Sequence, residues 1–148
     1  MQPLNFKSYQ FKLKSSENKP FIFDRIRKKY VVLTPEEWVR QHTVNYLIEE
    51  LNYPLSRIAV ERQLKVNKLT KRFDIVIFDT QGLPYILVEC KAPKVAITQE
   101  TFDQIARYNM RLNAPLLMLT NGLNHYFCTL NNHKKNYDFL ENLPHNEK

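Results

Sequence analysis

Three side chains in one short stretch have the types and spacing to do chemistry: Asp74, Glu89 and Lys91, within RFDIVIFDTQGLPYILVECK at 72–91. The stretch reads as two apolar strands, 72–78 and 85–91, around a turn at Gln81-Gly82. Alternate residues of a strand share a face, so Asp74 is expected beside Val76 and Phe78, and Glu89 and Lys91 beside Leu87 and Tyr85. With Thr80 paired to Leu83, Phe78 falls opposite Tyr85, Val76 opposite Leu87 and Asp74 opposite Glu89. The two carboxylates then face each other with Cβ atoms roughly 5 Å apart, which is unfavourable without a cation between them. With the backbone carbonyl of Cys90 they offer the hard oxygen ligands that suit Mg²⁺ or Mn²⁺. An ion there lowers the pKa of a water and offsets charge on a phosphoryl oxygen. Lys91, pointing the same way, can orient that water or offset charge in the transition state. The chemistry that fits is hydrolysis of a phosphodiester. The plainer alternative is a buried structural ion pair.

The flanking sequence must hold this hairpin. Thr34-Pro35-Glu36-Glu37 predicts a helix start, with Thr as N-cap, Pro at the first helical position and Glu at the third. The helix is expected to reach about Leu51 and stop near Asn52-Tyr53-Pro54, with an apolar stripe of Val39, Tyr46, Leu47 and Leu51. Glu36, three residues before Val39, sits at the edge of that stripe and could bring a further carboxylate over the site. Glu36 and Glu37 also complement the helix dipole, which is reason enough for either one. Residues 57–66 read as a strand with Ile58, Val60, Arg62 and Leu64 on one side, and 68–71 as a turn into the hairpin. Thr98 caps a second predicted helix, 98–112, whose packing face holds Thr101, Phe102, Ile105, Tyr108 and Leu112. Gln104 and Tyr108 form an i, i+4 pair on it. Residues 115–120 (PLLMLT) read as a strand covered on both faces, and 124–130 return after the Asn121-Gly122 turn.

The 148 residues suit one domain of three parts: a basic β-rich arm at 1–33, a core at 34–131 and a polar tail at 132–148. In the arm, 9–14 and 20–24 are predicted strands around the polar turn SSENK, and 29–33 a third. A net charge of +7 points to a polyanionic partner. Lys28 and Lys29 of the RIRKK run, with Arg72, are the candidate phosphate contacts. Two cysteines provide no disulfide framework, and Cys90, facing away from its neighbours, reads as core. The four histidines lack zinc spacing. No apolar run of about 18 residues and no signal-like N-terminus is present, so the expectation is a soluble cytoplasmic protein with no membrane contact.

Asp74, fourteen intervening residues and Glu89-Cys90-Lys91 resemble the D…(D/E)xK signature of the PD-(D/E)xK nuclease superfamily. The order helix, three strands, helix, strand is similar to that superfamily's core. More narrowly, residues 24–131 resemble the N-terminal nuclease domain of type I restriction enzyme R (HsdR) subunits. The segments that carry this are TPEEWVRQ, KRFDIVIFD, LVECKAP, ITQETFDQIARYN and TNGLNHY. The resemblance implies that Asp74, Glu89 and Lys91 are the metal-and-catalysis triad and that a helix glutamate assists, best matched by Glu36 with Glu37 as competitor. It also implies that Gln104 and Tyr108 form a QxxxY motif that handles DNA. R subunits carry ATP-driven motor domains after the nuclease, and no P-loop pattern occurs here, so a separate motor or specificity subunit is an expected partner.

The expectation is therefore an α/β, restriction-endonuclease-like domain: a helix, a three-stranded antiparallel sheet, a helix and further strands, with an N-terminal β arm. It cleaves DNA with Mg²⁺ (or Mn²⁺) and acts as a monomer or homodimer. The competing expectation is a non-catalytic nucleic-acid-binding or assembly module of the same fold.

Overall fold

The computed structural model describes residues 2–131, 133 and 136–146. The predicted tail therefore has residues 132, 134, 135, 147 and 148 outside the described ones. The arm is a separate antiparallel sheet of β1 (Leu13–Ser16), β2 (Lys19–Asp24) and β3 (Lys29–Val32). Its first strand lies later than expected, because the turn is only two residues long. Glu17 and Asn18 both take positive φ, and the ladder runs on to Ser16↔Lys19, inside the SSENK segment read as turn.

Helix α1 (Pro35–Asn45) starts as its sequence dictates: Thr34 Oγ1 accepts from the Glu37 N–H at 3.0 Å, and Pro35 is the first helical residue. The helix then widens into a π turn at Tyr46–Glu50, ending at Leu51. Helix α2 (Gln99–Leu112) begins with the reciprocal Thr98/Thr101 capping box and ends at Asn113 in the left-handed region.

Between the helices lies a six-stranded sheet in the order β4 (Ile58–Val66), β5 (Leu69–Phe78), β6 (Pro84–Cys90), β7 (Leu116–Thr120), β8 (His125–Asn131), β9 (Asn136–Leu140). The first three strands are antiparallel, as expected, and β6 and β7 are parallel, joined by the α2 crossover. Val39 and Val44 of α1 and Leu47 of the π turn pack on Ile75, Ile77, Ile86 and Val88. Ile105 of α2 packs on Phe73, Val76, Leu87 and Leu117 on the other face. The result is three layers, helix on sheet on helix. The sheet extends past the predicted core, since β9 pairs with β8 and Leu143 is buried against the α1 face.

Two expectations about the strands fail. Of the predicted 68–71 turn, 69–71 belong to β5: Val66 pairs with Leu69, so the turn is Asn67-Lys68, with Asn67 at φ 57°. In the central hairpin Val76 does oppose Leu87, but the ladder slips at Ile77/Phe78 and Phe78 meets Pro84, not Tyr85. Asp79 causes the slip by closing its own turn, its carboxylate accepting from the Gln81 and Leu83 N–H groups.

Candidate active site

The alternation of faces also breaks, and it breaks at the site. Ile58 and Val60 pack toward α1, yet Leu64 packs toward α2, so the side predicted to hold all of them is split. On β5, Ile75 and Ile77 face α1, while Phe73 joins Val76 facing α2. The switch falls at Glu61 and Asp74, the positions left out between the pairs Val60↔Ile75 and Arg62↔Phe73, and Glu61 is at φ 56°. A regular strand cannot change parity without such a kink. Both acids at the kink are turned onto one guanidinium. Arg40 Nη2 lies 2.7 Å from Asp74 Oδ1, 2.7 Å from Glu61 Oε1 and 3.3 Å from Glu36 Oε2. Arg40 Nη1 donates to Glu37, which also accepts from Arg27, and Arg27 in turn binds Asp24. Burial acts against the charge on Arg40, but the hydrogen bond and charge of Asp74, with Glu37 and Glu61, outweigh it and hold the guanidinium ionised. The second oxygen of Asp74 accepts from the Cys90 N–H at 2.8 Å, so both its oxygens have protein partners.

Across the hairpin the ladder Ile75↔Val88 stops one pair short of Asp74 and Glu89, which continue its register. Glu89 is held differently. Its side chain is 13% exposed, Lys71 Nζ lies a loose 3.7 Å from Oε2, and among the described residues Oε1 is buried without a partner. Burial first, and the nearby Asp74 charge second, push its carboxyl up to about 7, against the pull of Lys71 and Lys91. Glu36 is raised too, by burial and then Asp74, and it also feels Lys91. The charge of Lys91 acts on both Glu36 and Glu89, and its backbone is fixed by an N–H bond to Thr120 O at 2.9 Å.

The structure brings Asp74, Glu89, Lys91 and Glu36 together. It also separates the two helix glutamates: the Glu36 side chain is 46% exposed beside the site, whereas Glu37 is 7% exposed and bound by Arg27, Arg40 and Gln41. Cys90 is buried in the α1-side core, and burial raises its thiol well above the usual range. Tyr108 lies half-buried on α2 with Lys71 Nζ 5.6 Å from its ring centre, and Gln104 is exposed one turn before it. Arg72 is exposed, 3.7 Å from Glu61. Lys28 and Lys29 are exposed on the arm, but the arginines of the same run are structural, Arg25 binding Asn45 and Glu49 and Arg27 binding Asp24 and Glu37.

Arg40, Glu61 and Lys71 were not singled out as site residues from sequence. The spacing of Arg40 from Glu36 and Glu37 was a signal, whereas nothing in the residue types announces a left-handed Glu61.

Among the described residues no three His, Cys, Asp or Glu side chains are grouped to hold a metal ion. The residues that would hold one are Asp74 and Glu89 with the backbone carbonyl of Cys90, and the observation that suits an ion is the partnerless Glu89 Oε1. Asp74 would have to yield its Arg40 contact to such an ion. A cleft of about 1080 Å³ lined by Phe6, Tyr46, Met118 and Phe127 contains none of these residues.

No curated protein matches the chain. Among solved structures it is similar to a fragment assigned to the HsdR subunit of a type I restriction enzyme from Vibrio vulnificus YJ016. The TM-score is 0.52 and the identity 18%, over 76% of this chain and 24% of that one, a likeness of fold. The chain thus spans about a quarter of that relative's length. The family model described as "Type I restriction enzyme R protein N terminus (HSDR_N)" matches residues 35–144, and with them Glu36, Asp74, Glu89 and Lys91, so the chain belongs to that family.

Proposed function

We propose that this chain is a Mg²⁺-dependent endonuclease domain of PD-(D/E)xK type that hydrolyses DNA phosphodiester bonds, with Mn²⁺ as a substitute ion. The observation that carries the reading is the partnerless, buried Glu89 Oε1 beside Asp74, a carboxylate held where only a cation or a proton can satisfy it. Asp74, Glu89 and the Cys90 carbonyl would hold the ion. Bound there, Mg²⁺ supplies Lewis acidity toward a phosphoryl oxygen and a water. Glu89, whose carboxyl is raised by burial and by Asp74, would take the ion as its counter-charge. Lys91 orients the attacking water and offsets charge in the transition state, and Glu36, which feels the Lys91 charge, is the supporting carboxylate. Gln104, Tyr108, Arg72, Lys28 and Lys29 contact the DNA. The domain works in the cytoplasm within a restriction system, with a motor or specificity subunit as a partner.

A second reading, a non-catalytic binding or assembly module, is favoured by one observation: both Asp74 oxygens already have protein partners, as in a structural charge. Calorimetric titration of Mg²⁺ or Mn²⁺ into wild type and Asp74→Ala, with plasmid nicking on the same samples, separates the two. Binding and nicking that both vanish in the variant support the nuclease. Absence of metal binding by wild type, with and without DNA, overturns it in favour of the module.

A further inference from the structure

Beyond the kink at Glu61 and Asp74, β4 and β5 continue as a two-stranded ribbon. Arg62 pairs with Phe73, Leu64 with Lys71 and Val66 with Leu69, while β5 pairs with β6 only from Ile75 onward. Residues 62–72 contain Arg62, Lys65, Lys68, Lys71 and Arg72 and no acid. These cations fall into two groups. At the root, Lys71 lies 3.7 Å from Glu89 and Arg72 3.7 Å from Glu61. Arg62, in the first pair beyond the kink, and Lys65 and Lys68 toward the tip are exposed, and among the described residues none has an acidic partner, Arg62 resting over the Phe78 ring. A run of like charges held on a ribbon repels itself and persists where a polyanion is its partner. The major groove of duplex DNA admits a two-stranded ribbon, and its flanking phosphates present one negative charge per few ångströms. At about 3.3 Å per residue the ribbon's tip lies roughly 20 Å from Asp74, a span of about six base-pair steps.

We propose that the β4–β5 ribbon, through Arg62, Lys65 and Lys68, is the duplex-DNA docking arm of this domain, seated along the major groove so that the adjoining backbone crosses the site at the ribbon's root. This rests on the DNA reading above but not on cleavage, since docking needs no metal. The kink gives it its geometry: by reversing the faces it points Arg62 with Lys71 to the α2 side, where Tyr108 also lies.

The test measures binding of a fluorescein-labelled DNA duplex in EDTA, over a range of salt, to wild type, to Arg62→Gln/Lys65→Gln/Lys68→Gln and to Lys28→Gln/Lys29→Gln. The ribbon variant should bind about tenfold or more weakly at low salt, and its slope of log affinity against log salt should be shallower by roughly 2 to 3. Lys68→Gln alone, at the turn, should reduce the slope by about 1. Its Mg²⁺ titration should match wild type. A ribbon variant that binds like wild type overturns the proposal, as does a loss carried wholly by the Lys28/Lys29 variant. Tighter binding to an RNA duplex of the same sequence also overturns it, since the deep, narrow A-form major groove excludes a ribbon. Failure of the nuclease reading is read separately, as duplex binding in EDTA without nicking in Mg²⁺.

Discussion

Asp74 and Glu89 sit on neighbouring strands in facing register, yet the two sides of the site treat them in opposite ways. On the α1 side a buried guanidinium and a backbone N–H satisfy both oxygens of Asp74, within a run of alternating charges from Asp24 through Arg27, Glu37 and Arg40. On the α2 side Glu89 has one loose lysine and an unpaired oxygen. Compensated charge is a scaffold and uncompensated charge is a demand. The first fixes where a carboxylate stands, and the second leaves a buried oxygen without a counter-charge.

The comparison breaks most severely at Arg40. Arg40→Met leaves Glu37, Glu61 and Asp74 facing one another without their cation, and should lower stability by about 3–5 kcal/mol. Urea denaturation in EDTA measures this; a loss under about 1 kcal/mol would show that the acids find other partners.

Glu89→Gln should do the reverse. A carboxyl raised in the folded state contributes stability that is fully present below its unfolded pKa, near 4.5, and is lost as pH rises toward about 7. The neutral variant escapes that loss. It should exceed wild type by up to about 3 kcal/mol at pH 8 without metal, and the gap should shrink to near zero at pH 4. An equal gap at both pH values would mean packing, not charge, separates the two proteins.

The smallest effect sharpens the contrast. Lys71 is the nearest cation to Glu89, so Lys71→Met should move the pH midpoint of the Glu89-dependent loss upward by less than one unit, worth under about 1 kcal/mol. A double-mutant cycle with Glu89→Gln isolates it. A downward shift would mean that Lys71 is not the group drawing the proton off Glu89.

Much of this was legible in the chain. The N-caps at Thr34 and Thr98 and the apolar run at 116–120 each form through local rules, and each is found where expected. The near-facing of Asp74 and Glu89 followed from counting residues around a turn. That count succeeded despite the slip at Phe78, because the register is restored at Ile77↔Ile86. What escaped was the break in alternation. Period-two reasoning assumes a regular strand, and a Glu at positive φ is too costly to expect unless tertiary contacts over-determine it. Here Arg40 supplies those contacts to both Glu61 and Asp74.

The sequence by itself determined the two helices, the strands through β8, their order and the identity of the acids and lysine, because caps, turns and hydrophobic periodicity act over a few residues. Tertiary structure alone decided which helix glutamate faces the site, which strand carboxylate is satisfied and which is left wanting a cation. Those outcomes depend on burial and on partners 30 or more residues away, such as Arg40 with Asp74 at a separation of 34, and no local pattern encodes the meeting of such charges.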